Sequence, residues 1–153
     1  MSRHRASIAW ALAAGEDFAK GRYSRGHRVV FEHGHEAPGT ASAHVVGAKW
    51  AAPGAVDPEE MLVASISSCH MLSFLHVARL AGFRVASYAD DAEGVLEPNA
   101  KGRLAITRVT LRPAIAYDGP APDAAETDHL HHRAHEECFI ANSVKTEVVV
   151  ERA

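Results

Sequence analysis

An α+β domain is the fold class that this chain predicts. Three patterns carry that reading: short runs of β-formers in the first third, one long apolar helix in the middle, and alternating strands on either side of a second helix in the last part. The first third offers candidate strands at residues 6–14, at 28–31 closed by His33-Gly34, and at 43–46, with Ala51-Ala52-Pro53-Gly54-Ala55 as a turn. The pattern then changes at Asp57. That residue is a good N-cap, Pro58 fits the first helical position, and Glu60 completes a capping box. The helix is expected over 58–81 and to stop at Gly82. It is apolar or small on nearly every face, so burial on most sides is expected. Residues 84–96 read as a strand with Gly94 as a bulge, and 103–116 as a strand broken by Pro113. Residues 118–122 are turn-rich, 123–140 read as the second helix, and 145–152 as a closing strand.

The chain's 153 residues suffice for one domain with its own core, and a single domain over 1–153 is expected. Hydrophobic content of 47% and charged content of 23% are ordinary for a soluble protein. Net charge is −3, and no lysine/arginine cluster suggests a nucleic-acid partner. The apolar stretch 61–81 contains Ser65, Ser67, Ser68, His70, Ser73, His76 and Arg79, which argues against a membrane span. The basic start Met1-Ser2-Arg3-His4-Arg5 is not followed by a convincing cleavage region, so no signal peptide is read. The expected location is the cytoplasm, where paired cysteines are more often redox-catalytic or metal-bound than structural.

Two residues stand out as candidate nucleophiles. Cys69 lies in Ser67-Ser68-Cys69-His70-Met71-Leu72, and Cys138 in His135-Glu136-Glu137-Cys138-Phe139-Ile140. A lone cysteine on an apolar helix is most often a core residue, but here two sit in similar settings. Cys138 continues the stripe Leu130, Ala134 and so faces inward. Cys69 is mid-helix, where the helix dipole helps little, so a reactive thiolate there needs a cation from elsewhere in the fold. Histidine is the compositional oddity, with 11 residues, including His129, His131, His132 and His135 on the second helix. His131, His135 and Cys138 share a face, and Cys69 or His70 from the other helix could complete a zinc site. The bland alternative is a solvated histidine face.

Three segments carry a family resemblance. Tyr23-Ser24-Arg25-Gly26-His27-Arg28-Val29-Val30-Phe31 offers an arginine in a strand-turn setting. Asp57-Pro58-Glu59-Glu60-Met61-Leu62 is a proline-glutamate helix start ten residues before Cys69, and Cys138-Phe139-Ile140-Ala141-Asn142-Ser143 is the second cysteine segment. Together they resemble the OsmC/Ohr family (osmotically induced protein and organic hydroperoxide resistance protein), over about residues 25–150. His70 directly after Cys69, Phe139 in place of a proline, and the histidine-rich second helix depart from the hydroperoxidase branch. On residue type alone, Asn142 also reads as a left-handed C-cap.

The resemblance implies an OsmC-like fold, with β-strands packed on two central helices in an intertwined homodimer. It implies a cysteine-based peroxidase of stress response that reduces organic, alkyl or fatty-acyl, hydroperoxides without a cofactor. Cys69 would attack the peroxide and become a sulfenic acid, Cys138 would resolve it as a disulfide, and a dithiol such as a lipoylated protein would be the reductant. Arg25, with Arg28 as the alternative, would hold the Cys69 thiolate, and Glu59 would hold the arginine. Glu59 and Cys69 are roughly 15 Å and 80° apart on one helix. An antiparallel pair of these helices crossing near Ala64 would bring Glu59 of one protomer beside Cys69 of its partner. Leu62, Ile66, Leu72 and Phe139 are the expected apolar lining. A zinc-binding protein and a redox sensor with little turnover are the competing readings.

Overall fold

The computed structural model describes residues 1–151. Arg152, the end of the expected last strand, and Ala153 lie outside them. The chain forms two compact units, Met1–Met61 and Leu62–Ala153.

The first unit holds an antiparallel sheet in the order β1-β2-β3, with β1 at Ala6–Ala9, β2 at His27–Phe31 and β3 at Glu36–Gly39. Two expectations change here. Strand β3 goes unread in the sequence because it contains Pro38, which a strand tolerates at the sheet edge, where its missing N–H costs no ladder bond. Residues 43–46 form a single helical turn, α1 (Ala43–Val46), not a strand. Ser42 caps it by accepting from the His44 N–H, and Gly47, with φ of 80°, ends it.

Helix α2 spans Pro58–Leu80 and opens as expected. The Asp57 carboxylate accepts from the Glu60 N–H at 2.8 Å, and the Glu60 carboxylate accepts from the Asp57 N–H at 3.0 Å. At the other end, Gly82 adopts φ of 88°, and Phe83 N–H donates to the Ala78 carbonyl, closing a Schellman turn. Burial is one-sided. Ile66, His70, Phe74, Val77 and Ala78 are buried, whereas Ala64, Ser68, Leu72, His76 and Leu80, spaced by four, are exposed. By length and composition α2 is apolar enough to cross a membrane, a property it shares with core helices of soluble proteins.

The second unit adds two sheets. Strand β4 (Val85–Asp90) pairs antiparallel with β7 (Pro113–Tyr117). Strand β6 (Leu104–Leu111) pairs antiparallel with β5 (Glu93–Pro98) and parallel with β8 (Glu147–Val150). The expected strand 84–96 is therefore two, broken after Asp90. The Asp90 carboxylate accepts from Ser67 Oγ at 2.5 Å and from the Arg112 N–H at 2.6 Å, which ties both strand breaks together. Pro113 opens β7, a position that needs no N–H. Helix α3 (Ala124–Glu137) starts on Asp123, whose side chain accepts from the Glu126 N–H, and ends three residues earlier than expected, with Cys138 as its C-cap. A 3-10 turn at Ala141–Ser143 follows.

Two apolar clusters hold this unit. Phe74, Val77 and Ala78 of α2 meet Leu130 and Ala134 of α3, with Phe83, Val85, Tyr88 and Ile115 against them. Ile66 meets Val109 and Leu111 of β6. Each large side chain buried this way contributes about 1.5–3 kcal/mol over its exposed state.

Gly94 is not the bulge. The register shift lies one residue on, between Val95 and Leu96. A Cβ at Gly94 would stand 2.5 Å from Val63 Cγ2 on α2, so this glycine permits a close approach of strand and helix. Gly94→Ala is expected to cost about 1–3 kcal/mol in urea unfolding. Adding Val63→Ala should recover part of that loss, and equal stability of Gly94→Ala and wild type would contradict the contact.

Candidate active site

The two cysteines meet in the second unit. Cys69 sits mid-way along α2 and Cys138 at the end of α3; both are free thiols, 3.1 Å apart. Their environments differ. Cys138 is fully buried, and that burial is the main force raising its thiol pKa. It is placed to donate to the Cys69 sulfur, and its own sulfur accepts from the Ala141 N–H at 3.4 Å. Cys69 is half-buried and opens on a groove of about 470 Å³. Cys69 is therefore the sulfur a small molecule can reach.

The groove is less apolar than expected. Leu72 and Phe139 line it, together with Ser73, His76, Glu136 and Glu137. Leu62 and Ile66 do not: Ile66 is fully buried in the β6 cluster, and Leu62 packs against that cluster. The lining holds two carboxylates and no lysine or arginine.

Asn142 holds the Cys138 turn in a way that residue type alone does not reveal. Among the described residues no non-glycine has positive φ, so Asn142 is not a left-handed cap. Its side-chain amide instead donates to the Glu136 carbonyl at 2.8 Å and to the Cys138 carbonyl at 3.0 Å. The Glu136 carbonyl is one of those that the end of α3 leaves without a helical partner, and the Cys138 carbonyl also accepts from the Asn142 backbone N–H at 3.0 Å.

Beside the thiols lies a pair that the sequence reading missed. His70 and His131 are both buried, with rings nearly parallel at 10° and centroids 5.3 Å apart. His70 Nε2 lies 3.0 Å from His131 Nδ1, so one ring donates and the other accepts. His70 Nδ1 makes no hydrogen bond within the protein. We assign the tautomer in which His70 Nε2–H donates, since it leaves a lone pair rather than an N–H without a partner. Burial, then the neighbouring His131 and His135, push the His70 pKa down to about 4. Burial also lowers that of His131, opposed by Asp128 and Asp90. The available signal was spacing: Ile66, His70, Phe74 and Ala78 recur every four residues, which puts His70 on the buried stripe.

The rest of the histidine cluster diverges. His129, His132 and His135 are exposed, and His132 lies 3.5 Å from Glu136 one turn on. Among the described residues, no group of three or more His, Cys, Asp or Glu side chains could hold a metal ion.

Arg25 and Glu59 belong to the first unit. Arg25 is half-buried in a cavity of about 410 Å³ walled by Trp10, Phe18, Tyr23 and Pro58. Its guanidinium lies 3.7 Å from the Tyr23 ring centroid, and Nη1 donates to the carbonyls of Gly21 and Tyr23. Trp10, Phe18 and Tyr23 pack on one another, with Phe18 and Tyr23 stacked at 4.9 Å, a cluster the sequence reading also missed. Glu59 stands half-buried in the first turn of α2 and forms no ion pair with Arg25. Arg28 is exposed and reaches Glu36 across the β2–β3 pair at 3.4 Å.

The signature of OsmC-like proteins matches residues 51–152. The chain belongs to the OsmC/Ohr family. Among solved structures it is similar to an OsmC-like protein of unknown function from Vibrio cholerae, at 44% identity and a TM-score of 0.95, with both chains fully covered. An organic hydroperoxide resistance protein from Legionella pneumophila shares the fold at 21% identity and a TM-score of 0.69, covering 99% of this chain and 96% of that one. The organic hydroperoxide resistance protein OhrB of Bacillus subtilis does so at 15% identity and a TM-score of 0.72, covering 99% and 98%. No match was found among curated proteins.

The buried pair has a consequence for stability. His70 stays neutral in the folded chain down to a pH of about 4, whereas an unfolded histidine takes up its proton near the ordinary value of 6.5. The stabilisation is complete above that ordinary value and is lost as the pH falls from it toward 4, about 3 kcal/mol in all. Urea unfolding at pH 7.5 and pH 4.5 should show wild type losing about 2 kcal/mol more than His70→Leu between the two. Equal losses would contradict the assignment.

Proposed function

We propose that this OsmC/Ohr family member is a thiol-dependent peroxidase that reduces organic hydroperoxides to alcohols. The observation that carries the reading is the asymmetric thiol pair: Cys69 reachable from a groove, Cys138 buried and held as a thiol 3.1 Å behind it. The Cys69 thiolate attacks one peroxide oxygen, the O–O bond breaks, and the alkoxide leaves with a proton as the alcohol. Cys69 is then a sulfenic acid. Cys138 displaces its hydroxyl as water, giving the Cys69–Cys138 disulfide. A dithiol reductant of the lipoylated-protein class returns both thiols in the cytoplasm.

The groove's two carboxylates oppose a thiolate, so the cation that Cys69 needs comes from outside the groove lining. In this reading Arg25 supplies it in the assembled homodimer, where Glu59, which forms no ion pair with Arg25 within the chain, pins it. Arg28 is the weaker choice, since it is already engaged on the sheet surface with Glu36. The acting form is a homodimer. The exposed positions Ala64 and Ser68 are small and permit close approach by a second copy of the same helix, crossing near Ala64. Sedimentation equilibrium at micromolar concentration should return the mass of two chains; the mass of one would remove the dimer from the account.

Steady-state assays with an organic hydroperoxide and a dithiol test the chemistry. Cys69→Ser should abolish turnover, and Cys138→Ser should consume about one equivalent and stop at the sulfenic acid. On the Cys138→Ser background, Arg25→Ala should slow that single turnover at least about tenfold, as loss of a cation beside a thiolate implies. Arg28→Ala should be near neutral. Normal turnover by Cys69→Ser would refute the assignment of the nucleophile.

A further inference from the structure

We propose that the buried His70–His131 contact is a positioning clamp, setting the approach of α2 to α3 that allows the Cys69 and Cys138 sulfurs to close into a disulfide. It rests on the thiol-pair reading above and adds two residues outside that pair.

The placement comes first. His70 directly follows Cys69 on α2. His131 precedes Cys138 by seven residues on α3, on nearly the same face and roughly 10 Å along the axis. The two helices that carry the sulfurs are thus joined at a second level by an N–H···N bond of 3.0 Å.

The second argument is chemical. The face on which the pair sits is otherwise apolar: Phe74, Val77 and Ala78 against Leu130 and Ala134. Apolar packing would join the helices without the cost of desolvating two imidazoles. What a hydrogen bond adds is direction and length, because it weakens steeply with misalignment whereas dispersion contacts tolerate sliding. Phe74 packs on the His131 ring at 4.4 Å between centroids and helps to hold that ring in place.

The third argument is the small distance left to travel. The sulfurs stand 3.1 Å apart, and a disulfide needs about 2.05 Å with Cα atoms within about 7 Å. An adjustment of about 1 Å separates the two states, the scale on which a slipped helix contact decides whether the bond forms. Cys138 follows α3 directly as its C-cap, so a shift of that helix moves the sulfur with it.

The test is the dithiol–disulfide equilibrium of the full chain in mixtures of oxidised and reduced dithiothreitol. The exchange converts two protein thiols and oxidised dithiothreitol into the protein disulfide and reduced dithiothreitol, with no hydroperoxide involved. His70→Leu and His131→Leu should each shift the equilibrium about tenfold toward the dithiol, or about 30 mV for this two-electron couple. His70→Gln and His131→Asn place amide atoms near the Nε2 and Nδ1 positions and should stay within about threefold of wild type. The double leucine variant should shift no further than either single one, since one bond is lost in all three.

A wild-type constant in the leucine variants overturns the clamp. So does an equal shift in the amide variants, or an additive shift in the double variant. Should one leucine variant not fold, the other and the two amide variants read the same bond. A wild-type protein that forms the disulfide in dithiothreitol but consumes no hydroperoxide would sink the peroxidase reading and leave the clamp standing. Normal peroxidase turnover with unshifted leucine variants would do the reverse.

Discussion

Helices α2 and α3 carry one cysteine each, and the packing of one against the other is what brings two sulfurs 69 residues apart in the chain into contact. Phe74, Val77 and Ala78 on one side and Leu130 and Ala134 on the other are fully buried, so apolar packing holds the two helices together. The capping devices at the helix ends serve the same placement. The Asp57–Glu60 box fixes where α2 begins, and Asn142 fixes how the chain turns after α3, immediately behind Cys138.

In the proposed peroxidase reading, the two thiols take different roles. A reacting thiol must be reachable and ionisable, and a resolving thiol must be close and protonated until it is needed. Cys69 faces a groove, while Cys138 is enclosed and its ionisation is disfavoured by burial. The carboxylates of Glu136 and Glu137 at the groove add negative charge beside Cys69. The proposed reading takes the activating cation from outside the groove lining, with Arg25, which lies against the Tyr23 ring, as its proposed source.

Much of this was legible in the residues. The capping box and Gly82 located α2 within a residue at each end, because caps act locally and do not depend on the rest of the fold. Alternation located β6, β7 and β8 for the same reason. What could not be read were mainly effects of tertiary contact: Pro38 entered a strand because that strand is an edge, and Gly94 served helix packing rather than a bulge. The local caps Ser42 and Gly47, which make a helical turn from residues with strand propensity, were legible but outweighed by that propensity. At the site, both cysteines and the motif around Cys138 were visible, but the His70–His131 pair was obscured by a histidine run that suggested metal. The exposed members of that run diverge, and only the one opposite His70 enters the core.

The central claim is that the two thiols form one redox unit driven by an organic hydroperoxide. Counting free thiols in the denatured wild-type protein, before and after one equivalent of cumene hydroperoxide, tests it most directly. The account predicts that the two thiols per chain fall to none, with a Cys69–Cys138 link in peptide mapping and one alcohol formed per peroxide consumed. Two thiols still free after the treatment, or a single thiol lost with no link between the cysteines, would contradict it.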